Sequence, residues 1–524
     1  MNTEPLQQNK HAKQLAVLLE NAQNQKKKSE DLRISSEKVH VAGAGGTLTA
    51  AYEQLRNAAE NAEEHLLFQR AIRRFYRRLF LLNDVKQITN SGEELIIELT
   101  LAGYIENDSV PEKIVKQISS LAAEYFATHE TLVNQRKIAH KQAEDWTLDV
   151  LSVKVDWLIN DPALVNVFVQ FTHGYFMENY DLPKLFQAKK NEIETSLFAA
   201  IHRVLLKSDA PIIRASLLEA YRKSPRQLDS YVSTNKLLDK LITDPLTDKL
   251  SRYVDRKGAP LRVLRRMIDD NDKLHETLQE PATFLTDYTV RIENEYSTIN
   301  SRINRGIIKS VIFLIITKFL IGIAIEVPYD YLVAGSIIWM PLIINLAFPP
   351  IYMILLRSTL LLPGQANTNR LLQQIEQILF RPPVKQLERR LSTIFGLGYN
   401  LAYALIFIIV FGGVGYTLWR FFGFDLLHLS IFFLFLSGAS FLGFRLSRMI
   451  REIEAIDSDQ NAITTVRDFL YMPFVVVGRF MSEKYEQVNI VALSLDMLIE
   501  LPLKTVLRLI RQWGAFISSK KDEL

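Results

Sequence analysis

The sequence predicts an all-α membrane protein, on three observations. Four apolar runs are each long enough to cross a bilayer, and residues 47–300 carry apolar side chains at helical spacing. Period-2 alternation with β-branched residues is nearly absent. The expected architecture is a large cytoplasmic helical bundle region plus four transmembrane helices arranged as two hairpins.

At 524 residues the chain exceeds what one domain normally holds, so several folding units are expected. Lys and Arg number 62 against 58 Asp and Glu, a net charge of +4, which argues against a dedicated nucleic-acid binder. Cysteine is absent, which excludes disulfides, thiolate zinc sites, iron–sulfur clusters and cysteine nucleophiles.

Residues 1–46 are rich in Gln, Asn and Lys and are expected to be disordered or a loose helix, since they offer little surface to bury. No apolar core of signal-peptide type stands there. A cytoplasmic α-helical domain is expected over 47–300, where Tyr52, Leu55, Ala59, Ala62, Leu66 and Phe75 recur at helical spacing. Pro111 and Pro211 fall where a first helical turn tolerates them, and Pro225 and Pro260 interrupt further amphipathic runs.

The first transmembrane hairpin is placed at 301–360, with spans at 306–327 and 331–356 and a tight turn at EVPYD. Pro341, Pro349 and Pro350 are expected to kink the second span or end it early. A basic amphipathic linker covers 361–393. The second hairpin lies at 394–446, with spans at 399–419 and 424–444. Residues 447–524 are read as a helical, partly membrane-interfacial C-terminal region, in which LYMPFVVVGRF is too short to cross.

Flanking charges orient the spans. Arg302, Arg305 and Lys309 precede the first, Arg357, Arg370 and Arg381 follow the second, and Arg445, Arg448 and Arg451 follow the fourth. The first hairpin turn carries Glu326 and Asp330 instead. By the positive-inside rule both termini are cytoplasmic. The C-terminal tetrapeptide Lys521-Asp522-Glu523-Leu524 has the form of a retrieval signal read only from a lumen, so this topology makes it a coincidence. A bacterial plasma membrane is the expected compartment.

Lys318, near the middle of the first span, is the most pointed residue, because a charge there costs at least a few kcal/mol unless paired or hydrated. Glu326 and His428 are the candidate partners. Glu326 lies eight residues on, so pairing within one helix would be a stretch. Arg70, Arg73, Arg74, Arg77 and Arg78 follow i, i+3, i+4, i+7, i+8 and line one helical face. Such a face suits the anionic inner leaflet; the alternative is pairing with the bundle's own carboxylates. A second basic cluster, Arg256, Lys257, Arg262, Arg265 and Arg266, reads as ordinary surface. Near the C-terminus Asp496, Glu500, Lys504, Arg508 and Arg511 form a narrow polar stripe in an otherwise apolar helix, with the three cations assigned to the membrane surface.

Two motif-like strings are discounted. VHVAGAGGTLTAAYEQL resembles a dinucleotide loop but has Leu48 at the third small position, and a junction ending in a Thr47 helix cap accounts for it. Asp457, Asp459, Asn461 and Asp468 take calcium-loop spacing, but Ala462 replaces the glycine of the sharp turn. No HExxH, G-x-S-x-G or phosphate-loop signature occurs, so the sequence points to no catalytic, cofactor or metal residues. The leading functional expectation is a membrane-anchored scaffold presenting its helical domain to a cytoplasmic protein partner or to lipid. The alternatives are a channel or transporter component acting as an oligomer, and a membrane enzyme with an unrecognised site.

Overall fold

A computed structural model describes residues 6–34, 37–41, 49–50, 53–54, 56–57, 64–83, 85–382, 397–455, 462–487 and 513. Among these residues the architecture is helical, and the only extended pairing is an isolated antiparallel bridge between Lys38 and Pro111. The helices are α1 (Lys10–Ile34), α2 (Glu64–Leu82), α3 (Val85–Thr89), α4 (Ser91–Leu101) and α5 (Glu112–Glu130). Next come α6 (His140–Ile159), α7 (Ala163–Asn179), α8 (Leu182–Phe186), α9 (Lys190–Leu205), α10 (Ala210–Ala220) and α11 (Leu228–Ile242). Then follow α12 (Pro245–Lys257), α13 (Ala259–Asp270) and α14 (Leu274–Thr277), before the long α15 (Pro281–Ile321).

Prolines and aspartates set several of these boundaries. Asp244 accepts a hydrogen bond from the Leu246 amide at 3.0 Å and Pro245 opens α12, where its missing N–H has no helical partner to lose. Pro260 likewise sits in the first turn of α13.

Two apolar cores organise the region. One is built by α2–α6, α10 and α11 around Tyr76, Tyr125, Trp146 and Tyr231. The other joins α1, α7, α9 and α12–α15 around Phe168, Phe176, Phe284 and Tyr288. Helix α9 serves both: Ile193, Leu197, Ala200 and Ile201 face the second core, and Ala199 the first. Each fully buried side chain of this size contributes about 1.5–3 kcal/mol.

The N-terminal segment departs from expectation. Helix α1 buries Ala12, Leu15 and Leu19 completely in the second core. Asn9 caps it, accepting from the Ala12 amide at 3.0 Å while its own amide donates to the Ile378 carbonyl at 2.8 Å. Spacings of three and four make one narrow apolar stripe, which the long polar side chains on the other faces mask in the average. The expected linker also contains more structure: α18 (Gln365–Leu379) buries Leu371, Ile375, Ile378 and Leu379 in the same core.

Four helical stretches are long and apolar enough to span a membrane: Pro281–Ala334, Trp339–Thr359, Leu401–Phe422 and Leu426–Arg451. The first comprises α15, a π turn at Gly322–Glu326 and α16 (Val327–Ala334). The chain therefore does not turn at EVPYD. Pro328 falls in the first turn of α16, where no amide is needed, and the reversal comes at Gly335, whose φ of 71° only glycine adopts freely. Helix α17 (Trp339–Thr359) continues past Pro349 and Pro350 instead of ending there, with Pro341 in its first turn. Helices α19 (Leu397–Phe422) and α20 (Leu426–Arg451) follow, then α21 (Ala462–Gln487), which packs along α20.

Candidate intramembrane polar site

Lys318 lies in the last turn of α15 and is 2% exposed. Its Nζ stands 3.4 Å from Glu326 Oε1 and 4.5 Å from the centroid of the Phe435 ring on α20. In an unbroken α-helix, residues eight apart point roughly 80° away from each other. The π turn at Gly322–Glu326 adds wide turns that bring Glu326 back beneath Lys318. The direct pair that sequence spacing made a stretch is thus formed, and the irregular turn is its physical reason. His428 is not the partner of Lys318.

A second cluster lies toward the turns. His428, fully buried in the first turn of α20, has Nδ1 2.8 Å from Asp425 and Nε2 3.3 Å from Asp330. Asp425 also accepts the His428 amide at 2.9 Å, so one carboxylate both caps α20 and holds the ring. The other oxygen of Asp330 accepts the Ile338 amide at 2.9 Å, which fastens the turn at Gly335. Asn345 of α17 donates to the His428 carbonyl at 3.3 Å, and the Tyr329 ring lies 6.2 Å from the imidazole.

Asp330 follows Glu326 by four residues, one helical turn, so the two clusters stack along one helix. Glu326, Asp330, Asn345 and His428 are all 0% exposed. Among the described residues Glu326 Oε2 and Asn345 Oδ1 find no hydrogen-bond partner. Enclosed charges of this kind cost several kcal/mol each unless they are paired or neutralised by a proton.

Sequence reasoning found Lys318 and Glu326 but counted Asp330 only as a flanking charge and passed over Asn345. The available signal was a lone amide in the apolar run of α17 and an acid one turn beyond Glu326.

The other expected sites resolve differently. The basic face of α2 meets the bundle's own carboxylates: Arg73 pairs with Asp149, Arg74 with Glu53 at 2.8 Å, Arg77 with Glu144 at 3.6 Å and Arg78 with Glu98 at 2.7 Å. Arg70 interacts with Asp209. These contacts pair the face within the bundle: α6 presents Asp149 and Glu144, α4 presents Glu98, and Asp209 caps α10. Burial pushes Asp149 up to about 6 despite Arg73 beside it. Lys504, Arg508 and Arg511, with Asp496 and Glu500, lie outside the described residues, as do Thr47, Asp457, Asp459 and Asn461.

The cluster read as ordinary surface is partly structural. Arg262, 6% exposed, binds Asp255 and donates to the Glu452 carbonyl at 3.0 Å, and Lys207 pairs with the Glu452 carboxylate at 2.9 Å. These groups border a cavity of about 940 Å³ between the two cores and the end of α20. Its wall includes His202, held neutral by burial at about 4, and Asp156, raised by burial to about 6. Among the described residues no group of three or more His, Asp or Glu is arranged to hold a metal ion.

No protein-family model matches the chain, and no curated protein or solved structure matches it significantly. What the fold defines is a class: an all-helical protein with four helices built to the length and polarity of membrane spans.

Proposed function

We propose that the chain is a subunit of a membrane transport system, acting as an oligomer, in which the Lys318–Glu326 pair and the Asp330–His428–Asp425 cluster exchange protons during the transport cycle. The carrying observation is the Lys318–Glu326 pair itself, with both side chains 1% exposed inside a stretch of span polarity. An ionisable pair at that depth is a functional site by default, since apolar residues of equal volume pack there at lower cost. Four spans are few for a pore within one chain, which is why the reading includes assembly. The exposed basic residues at the bundle-side helix ends, Arg302, Arg305, Lys309, Arg445 and Arg448, support a cytoplasmic helical bundle by the positive-inside rule.

The test is proton flux into liposomes containing the purified protein, followed with an internal pH dye under an imposed potential. Flux above protein-free vesicles, reduced at least tenfold by Lys318→Met with Glu326→Gln, supports the reading. Wild-type flux equal to that of empty vesicles, or a double variant with unchanged flux, overturns it.

A second reading, the membrane-anchored scaffold, is favoured by a different observation. The bundle is braced to the spans at several points: Arg357 donates to Asn304 and Asn300 at 2.7 Å each, and Asn367 holds the Ile453 carbonyl at 2.8 Å. A scaffold needs such bracing and no flux. Capture of a defined partner by the full-length protein, with empty-vesicle flux, selects it.

A further inference from the structure

We propose that α21, Ala462–Gln487, is a fifth membrane-crossing helix whose exposed apolar face is covered by lipid hydrocarbon, so that its last residue, Gln487, lies on the side opposite the helical bundle. The argument is one of depth. Helices α20 and α21 are 26 residues each, and they lie antiparallel. The Tyr471 hydroxyl donates to the Ser440 carbonyl at 2.7 Å and stands against Gly443. Seven residues further on, Gly478 approaches α20 so closely that an added Cβ would lie 2.2 Å from the Ser437 carbonyl oxygen. As the number rises on α21 it falls on α20, and the two helices run beside each other through their central turns. At about 1.5 Å per residue each measures roughly 39 Å, more than the hydrocarbon thickness.

The middle of α21 packs against two candidate spans at once, within the length of each. Phe474 packs 4.8 Å from Phe411, central in α19, and 6.3 Å from Phe433 of α20. Phe474 and Val475 are buried against these helices, whereas Phe469, Leu470, Val476 and Phe480 are exposed. That outward row shares its depth with the exposed Ile408 and Ile409 of α19 and Leu434 of α20, so the same solvent must cover all of them. A polar solvent would face the whole row; hydrocarbon suits it.

The charges on α21 are compatible with this placement. Arg479 and Glu483, one turn apart, neutralise each other at 2.6 Å, and the Lys484 ammonium lies over the Phe480 ring at 5.9 Å, with a stem long enough to reach the headgroups. These charges and Pro473 keep the helix below the hydropathy of a span, so only its packing partners reveal its depth.

The absence of native cysteine makes the test direct. Single cysteines at Lys13→Cys in the bundle, Ser336→Cys in the turn after α16 and Gln487→Cys at the end of α21 are labelled in intact cells with a membrane-impermeant maleimide. Labelling after permeabilisation and after denaturation calibrates each site. The expected result is that the Gln487 and Ser336 positions react under the same condition and Lys13 under the other. Reaction of the Gln487 position together with Lys13 means that α21 re-enters or lies on the surface, and overturns the proposal. The outcome is independent of proton flux, so it stands or falls apart from the transport reading.

Discussion

The Arg262 guanidinium donates to the backbone carbonyl of Glu452, 190 residues away, just past the last turn of α20. A single buried side chain of the helical bundle thereby caps the end of a helix of span length, satisfying a carbonyl that the helix itself leaves open. Arg262→Met removes that donor and leaves the carbonyl open, while the exposed Asp255 stays solvated, and should cost about 1.5–3 kcal/mol. The measurement is the thermal midpoint of the detergent-solubilised protein together with amide exchange, which should accelerate around residues 450–455 first. Unchanged exchange there would show that the contact is incidental.

His202 introduces a pH dependence of known sign. It is 1% exposed, and burial keeps it neutral down to about 4, whereas the unfolded chain takes up the proton near 6.5. The unfolded state therefore binds more protons between those values, and stability falls as pH drops from 6.5 toward 4. The loss should approach about 3 kcal/mol. In His202→Gln this part of the acid sensitivity should vanish, as read from denaturation midpoints at pH 7, 5.5 and 4.

The Lys318–Glu326 pair should behave non-additively. Lys318→Met alone leaves an uncompensated carboxylate in an apolar enclosure and should cost about 3–5 kcal/mol, or force Glu326 to take up a proton. Adding Glu326→Leu removes the stranded charge and should restore most of the stability. A double-mutant cycle on thermal melting in detergent measures the coupling, and simple additivity would exclude the contact.

Gly478 is required by closeness rather than by backbone conformation. Gly478→Ala places a methyl group against the Ser437 carbonyl and should separate α20 from α21 at a cost of about 2 kcal/mol. Gly438, which has nothing near its Cβ position, is the matched control: Gly438→Ala should be neutral or slightly stabilising. Melting of the two variants side by side checks the pair.

The legible parts of this molecule are those that periodicity and solvent preference encode. Helical content and four apolar stretches follow from spacing and run length, and Lys318 stands out because it violates its surroundings. What stayed hidden depends on relations between distant residues. The π turn that delivers Glu326 to Lys318 has no pattern of its own in GIAIE. Helix α1 hides a stripe of four buried residues among glutamines and lysines. The basic face of α2 looks like a membrane ligand until α6 supplies Asp149 and Glu144, about seventy residues later in the chain. The turn after the first span lies beyond EVPYD because the short polar break there is absorbed into a helix, with Pro328 in its first turn, where no amide is needed.

Helix α15 keeps one continuous inward face from end to end: Phe284, Tyr288, Ile292, Glu295, Ile299, Ile303, Ile307, Leu314 and Lys318 are buried along it. At about 1.5 Å per residue the 41-residue rod is roughly 60 Å long, its foot set in the core of the bundle and its head at the intramembrane lysine. Under the transport reading such a rod would serve as a driveshaft: a roll of a few degrees at Phe284 would swing the Lys318 ammonium relative to Glu326, and a change at that pair would be felt as torque on the bundle.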